Sequence, residues 1–248
     1  MCYKVYVKGQ KFWDQTASDY AGGRTKGRKY ILDPALFEII GNVEGKKVLD
    51  IACGDGAITV FLAKKGAICT GIDYSSKLID IGKNKAKELG LSINFKVMDA
   101  RNMEAIRNEV LDLIVISLLL PHLSSKADIE SVIKQCALLL HKGGRLIISE
   151  PHPAFDFYMR NKLRIGDFEY FRSGLPYDFT MNIDGKKLSS IAYHWTLQDY
   201  YSAIVNNNFQ IDKIIEPRPL DISKGLDRKW YKDRSSYPSY IIFDCIKK

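Results

Sequence analysis

A doubly wound α/β sheet, mostly parallel and seven strands wide, is the fold class the sequence predicts. Three observations predict it. Short apolar runs alternate with amphipathic helical stretches from residue 48 to residue 150, the rhythm of right-handed strand–helix–strand crossovers. Successive runs close on an acid, at Asp50, Asp73 and Asp99. A Gly54-Asp55-Gly56 turn separates the first run from its helix, at a place where backbone comes close to a ligand in such sheets.

The elements follow in order. Before Val48 the chain reads as helical, with Asp33 as N-cap and Pro34 at N1. Residues 48–52 form the first strand; 57–65 have helical spacing and stop at Gly66, a C′ residue. Residues 67–73 are the second strand, and Ser75 or Ser76 caps a helix over 77–89 that Gly90 ends. INFKVMD (93–99) alternates as a half-buried strand, whereas DLIVISLLL (112–120) reads, after Asp112, as an apolar run broken only by Ser117, as expected for a strand covered on both faces. A helix over 129–140 closes at HKGG, which makes His141 a C-terminal cap, and RLIISE (145–150) is the fifth strand. From 151 to 195 the rhythm breaks, and ten aromatics in 45 residues mark an insertion laid over the sheet edge. A helix over 196–209 and strands over 210–217 and 239–248 complete the chain. The expected organisation is one domain: a lid (1–46), a core (47–150 and 196–248) and the aromatic insertion (151–195).

Composition narrows the function classes. The chain has 248 residues, 46% of them apolar, enough for one sizeable core. Its start lacks a continuous apolar stretch, and the longest apolar run, Leu113–Leu120, is too short to span a bilayer, so a soluble, cytoplasmic protein is expected. The five cysteines (Cys2, Cys53, Cys69, Cys136, Cys245) are scattered and never in CxxC spacing, which points to reduced thiols and to neither a disulfide framework nor a metal site. The net charge of +8 is concentrated in residues 1–47, which carry nine Lys/Arg against five Asp/Glu, notably at Arg24–Lys29. A nucleic-acid reader shows a denser basic stripe with interleaved aromatics, so nucleic acid is not an expected partner.

An acid nineteen residues beyond Gly54 is well placed to accept from both hydroxyls of a ribose, so the site suits an adenosine cofactor. Two classes compete. A dinucleotide would set its pyrophosphate over the first turn, where Asp50 and Asp55 would repel it by a few kcal/mol at about 4–6 Å. The GxGxxG register also fails, since Ile58 and Thr59 follow Gly54-x-Gly56. S-adenosylmethionine carries no phosphate, and its sulfonium and ammonium suit an acid-lined turn.

At this point the residues resemble a family. LDIACGDG is similar to the first motif of class I S-adenosylmethionine-dependent methyltransferases, with Ala52 in place of that motif's first glycine. TGIDYS, MDA (98–100), LDLIVISLLL and LLLHKGGRLIISE resemble motifs two to five in order and spacing. HWTLQDYYSAIVNNNFQIDKIIEPRP resembles bacterial small-molecule methyltransferases of the ubiquinone/menaquinone-biosynthesis-like type. The resemblance implies a Rossmann-like sheet with an antiparallel last strand, and S-adenosylhomocysteine as the product cofactor. It implies that Ala52, Cys53, Gly54 and Gly56 lie against the methionyl portion, with Asp50 near its ammonium. Asp73 would hold the ribose, Tyr74 pack on adenine, Asp99 and Ala100 meet the adenine edge, and Ser117 and Leu118 line the methionine. Tyr20, in the lid, would approach the cofactor carboxylate, and Arg24 or Arg28 would meet an acidic substrate.

Methyl transfer needs a base only where the acceptor must lose a proton. His152, His194 and His122 are the candidates, His152 first. Phe155, Tyr158, Tyr170, Tyr193 and Trp195 are expected to wall the acceptor pocket together with other aromatics of the insertion. The expected partner is a small-molecule acceptor, and the chain is expected to act as a monomer or homodimer. The rivals are an RNA or protein methyltransferase, a cofactor-binding subunit without chemistry, and, more distantly, a nicotinamide-dependent oxidoreductase.

Overall fold

The computed structural model describes residues 9–154, 169–183 and 185–248. Helix α1 (Gly9–Tyr20) leads through a loop to a wide helical turn (Arg28–Leu32) that runs straight into α2 (Asp33–Ile40). The alternating core follows as β1 (Lys47–Ile51), α3 (Ala57–Lys64), β2 (Ile68–Asp73), α4 (Ser76–Glu88), β3 (Asn94–Val97), β4 (Leu111–Ser117), α5 (Lys126–Leu139) and β5 (Leu140–Pro151). A hairpin, β6 (Pro176–Ile183) and β7 (Lys186–Tyr193), stands in the insertion, and the chain ends with α6 (Leu197–Asn206), β8 (Phe209–Ile215), α7 (Ile222–Leu226), α8 (Arg228–Ser236) and β9 (Tyr240–Lys247).

The seven-stranded sheet has the order β3-β2-β1-β4-β5-β9-β8. Its first five strands pair in parallel, and β9 runs antiparallel to both β5 and β8. The order reverses between β1 and β4, which opens the crevice where this fold class binds ligands. Strand periodicity explains why the central runs carry no polar alternation. In β4, Ile114 and Ile116 face a core shared with α5 and α6, while Leu113 and Val115 face a second core against α2 and α3. Both faces are dry over residues 113–116, so all four of those positions are apolar.

The caps lie largely where residue types predict them. Ser75 Oγ accepts from the Leu78 amide at 3.2 Å, and Thr196 with Asp199 forms a reciprocal capping box at the head of α6. Three expectations are corrected. Asp33 does not cap α2; it is the first residue of the helix, and its carboxylate pairs with Arg24 and Arg28. His141 is not a helix cap, because β5 already begins at Leu140 and the His141 ring turns to Asp112 instead. The segment between β8 and β9 folds into α7 and α8, which the sequence pattern did not reveal.

Gly56 has a clear steric reason. Its φ is +74°, and a Cβ there would stand 2.6 Å from Phe95 Cζ on β3. Gly56→Ala is therefore expected to destabilise the fold by about 2–4 kcal/mol, the sum of left-handed strain and overpacking. Chemical denaturation checks this; an unchanged midpoint would show that Phe95 yields freely.

Candidate functional site

A cavity of about 1300 Å³ opens at the carboxyl ends of β1, β2 and β4. It exceeds the volume of a single ordinary ligand site and has room for a cofactor and an acceptor together. The first strand-to-helix turn forms its floor. Ala52 and Leu118, which follow β1 and β4, both hold positive φ (56° and 61°) and both line the cavity. Such strain in residues with a Cβ costs about 1–3 kcal/mol each and is concentrated at functional sites.

Asp73 closes β2 at the cavity wall. Its Oδ2 accepts from the Gly54 amide at 3.0 Å and its Oδ1 from the Ser75 amide at 2.9 Å, so it ties the first turn to the second. Burial raises its pKa, against those amide bonds. Tyr74 and Ala100 line the same wall, and burial pushes the Tyr74 phenol up to about 12. Asp99 also lines it, held below the usual carboxylate range by the Arg101 guanidinium, which lies 2.6 Å away. Cys53, Gly54, Ser117 and Tyr20 complete the set. The Tyr20 ring lies over the first turn, where a Cβ on Gly54 would be 3.4 Å from its Cε1.

Two residues expected at the cofactor do not line the cavity. Asp50 is buried beneath it, and its Oδ2 accepts the Thr59 hydroxyl at 2.6 Å; burial raises its pKa to about 7. Gly56 faces Phe95. Asp55 is likewise turned inward. Burial works to raise its pKa, but Lys85 at 2.6 Å and the Gly22 amide at 3.1 Å outweigh burial and lower it. Repulsion from Asp50 and Asp55 is thus not what bars a pyrophosphate from this turn. The Tyr20 ring covers that position instead.

The histidines separate sharply. His122, after β4, lines the cavity, with its ring edge-on to Trp13 (5.5 Å) and Phe179 (5.4 Å). Burial lowers its pKa to about 4, so the imidazole is neutral at physiological pH. His152 is off the cavity: its Nε2 meets Glu216 at 3.0 Å and its Nδ1 accepts from the Ala154 amide. His194 is buried, with Nε2 bonded to the Tyr170 carbonyl at 2.7 Å. His152 ties the start of the insertion to Glu216 after β8, and His194 ties two parts of the insertion to each other.

The acceptor wall also differs from expectation. Trp195 is buried against the core, Tyr193 packs on the same core, and the Tyr170 hydroxyl accepts from the Leu197 amide; none lines the cavity. Phe155 and Tyr158 lie outside the described residues. The wall comes from the β6–β7 hairpin instead, through Tyr177, Phe179, Met181 and Ile183, with Trp13 of α1 beside it. A signal for this was present: those four residues alternate with Asp178, Thr180 and Asn182, and an Asp-Gly pair follows. Among the described residues, no cluster of three or more His, Cys, Asp or Glu could hold a metal ion.

Comparisons with known proteins agree with this geometry. Residues 48–144 match the family described as Methyltransferase domain. The ubiquinone biosynthesis O-methyltransferase of Coxiella burnetii is 39% identical over 135 residues, covering 52% of this chain and 55% of that protein. The protein of the same name from Haemophilus ducreyi is 35% identical over 155 residues, covering 59% of this chain and 63% of that one. The match thus spans little more than half the length of these curated relatives. Among solved structures, an S-adenosylmethionine dependent methyltransferase from Mesorhizobium loti superposes with a TM-score of 0.65 at 18% identity, covering 86% of this chain and 96% of that one. The magnesium protoporphyrin IX methyltransferase of Synechocystis, with bound SAH, gives 0.64 at 19% identity over 96% and 97%. At such identities these two likenesses establish the fold.

Proposed function

We propose, from the match of residues 48–144 to the family described as Methyltransferase domain and from the order of the sheet, that this chain transfers a methyl group from S-adenosylmethionine to a small-molecule acceptor. The observation that carries this reading is Asp73. It is a buried carboxylate at the cavity wall, already oriented by two amides and still able to accept from a ribose. Around it, Tyr74 would pack on adenine, and Asp99 with the Ala100 amide would meet the adenine edge. Gly54, Ala52, Ser117 and Leu118 would flank the methionyl portion under Tyr20.

The cofactor, when bound, supplies a methyl group already made electrophilic by its sulfonium. What remains for the chain is in-line positioning and exclusion of water. His122 is the one of the three candidate histidines on the cavity. Being neutral, it can accept a hydrogen bond from an acceptor's O–H or N–H and orient it; with a pKa near 4 it holds a transferred proton poorly and would pass it to solvent. The names of the curated relatives support a small organic acceptor. We place the activity in the cytoplasm, in a monomer or homodimer without nucleic acid. Among the described residues no helix is long and apolar enough to cross a membrane.

Calorimetric titration tests this directly. S-adenosylhomocysteine should bind and NADH should not; the reverse pattern would overturn the reading. The lid gives a second test. Asp14 Oδ1 accepts from the Ser75 hydroxyl at 2.6 Å, and Gly22 is held by Asp55, so the segment preceding β1 is fastened over the cofactor side. S-adenosylhomocysteine should slow proteolysis within residues 13–30, followed by mass spectrometry. Equal cleavage rates with and without it would remove the lid role.

A further inference from the structure

The stretch between β8 and β9 presents an outer surface that is both basic and apolar. Helix α8 has no fully buried residue. Its exposed positions are Arg228, Lys229, Lys232, Ser235 and Ser236, the i, i+1, i+4, i+7, i+8 set that shares one helix face. That face carries three cations and no acid. Just before it, α7 exposes Ile222 (69%) and Leu226 (64%), one turn apart on the same side. Leu226 and Arg228 are two positions apart, so the apolar pair and the cations adjoin.

The neighbouring acids are already engaged. Over residues 218–234 six Lys/Arg stand against three Asp. Asp227 caps the Trp230 amide at 3.0 Å and pairs with Lys26 at 2.7 Å, and Asp221 accepts from the Tyr231 hydroxyl at 2.7 Å. Asp233 is half-buried, with Arg234 3.9 Å away. The exposed Lys29 adds a cation from the segment before β1: it lies over the Tyr30 ring (5.3 Å), which in turn meets Trp230 edge-on at 6.5 Å. The Leu220 amide donates to the Tyr30 carbonyl at 2.9 Å, so this surface is fastened to the body of the protein.

An occupant has to answer both features. Nucleic acid would answer the cations and leave Ile222 and Leu226 against phosphate and water. A second copy related by a two-fold axis would set the same cations opposite one another. An anionic bilayer answers both, with headgroups for the cations and the acyl boundary for the aliphatic pair.

We infer that the outer face of α7 and α8 docks on an anionic lipid surface. The chain lies on the bilayer and does not span it: Ile222 and Leu226 enter the headgroup boundary, and Arg228, Lys229 and Lys232 meet lipid phosphates. The other side of α8 lines the cavity through Trp230 and Arg234, so a docked chain holds its cavity one helix away from the lipid. An acceptor carried in the bilayer then has a short way to the hairpin wall. That last step alone rests on the methyl-transfer reading.

Vesicle co-sedimentation of the full chain tests this, with phosphatidylcholine alone and mixed in equal parts with phosphatidylglycerol. The chain should sediment with the mixed vesicles only. Salt at about 1 M, which shortens the Debye length to about 3 Å, should release most of it. Lys229→Gln with Lys232→Gln should weaken vesicle binding about tenfold or more, at roughly fivefold per cation. Ile222→Ser with Leu226→Ser should weaken it by about tenfold or more as well. None of these four side chains lines the cavity, so both variants should keep the wild-type circular dichroism and the wild-type Kd for S-adenosylhomocysteine. No sedimentation, equal sedimentation with both vesicle types, or wild-type vesicle binding by either folded variant overturns the docking surface. In the last case, single-stranded RNA binding lost in the lysine variant would make it a nucleic-acid face, and a dimer lost in the aliphatic variant would make it a contact between copies. If the wild-type chain binds the mixed vesicles as expected yet ignores S-adenosylhomocysteine, the docking surface stands and the methyl-transfer reading fails.

Discussion

Asp73→Ala is expected to weaken S-adenosylhomocysteine binding by about 1–3 kcal/mol, roughly 5- to 150-fold in Kd, because the substitution strands both ribose hydroxyls. The same change removes the acceptor for the Gly54 and Ser75 amides. Some of the loss could then come from a loosened first turn, and a thermal melt of the ligand-free variant measures that part. The pH dependence separates the two causes. Burial raises the Asp73 pKa in the empty site, and two new hydroxyl donors favour the ionised form, so binding lowers it. Affinity should therefore fall as acid takes the pH below the pKa of the empty site, and Asp73→Asn should abolish that acid limb. An affinity indifferent both to the substitution and to acid would remove Asp73 from the cofactor.

The parallel core was legible because its residues have few physical alternatives. A run such as Leu113–Ile116 must be covered on both faces, and a glycine such as Gly66, with φ at +84°, marks a helix end. What the sequence did not show is which way a polar side chain turns at the end of a strand. Asp50 pairs with Gly71, two residues before Asp73 on the neighbouring strand, and its Oδ2 accepts the Thr59 hydroxyl beneath the site, while Asp73 stays at the cavity. The histidines were obscured for a similar reason. His152 and His194 stand at the two ends of the insertion, and each found a local partner, Glu216 and the Tyr170 carbonyl.

Glu150 should make this fold lose stability as the pH rises through neutrality. It ends the buried part of β5 with no exposed surface, and its Oε1 accepts from the Leu119 and Leu120 amides at 3.1 and 2.9 Å, while Oε2 has no partner. Burial lifts its pKa from 4.5 to about 8. In the unfolded chain the carboxyl ionises near 4.5, so above that pH the folded state binds the extra proton. Its contribution is complete below about 4.5, declines as the pH rises, and is exhausted above about 8. The span corresponds to a loss on the order of 2–5 kcal/mol. Glu150→Gln keeps an oxygen for the two amides but cannot ionise, so the fall in unfolding free energy towards pH 8 that Glu150 causes should vanish from its curve, leaving only the slopes that Asp50 and His122 contribute at lower pH. The variant starts below wild type in acid, because its amide NH2 leaves more buried donors unanswered, and overtakes it in mild alkali. The same carboxyl holds the loop carrying Leu118 and His122, so Glu150→Ala should cost about 3 kcal/mol or more in stability. Parallel pH–stability curves for wild type and Glu150→Gln, measured by urea unfolding from pH 5 to 9, would show that Glu150 is ionised in the folded protein and that something else answers its charge.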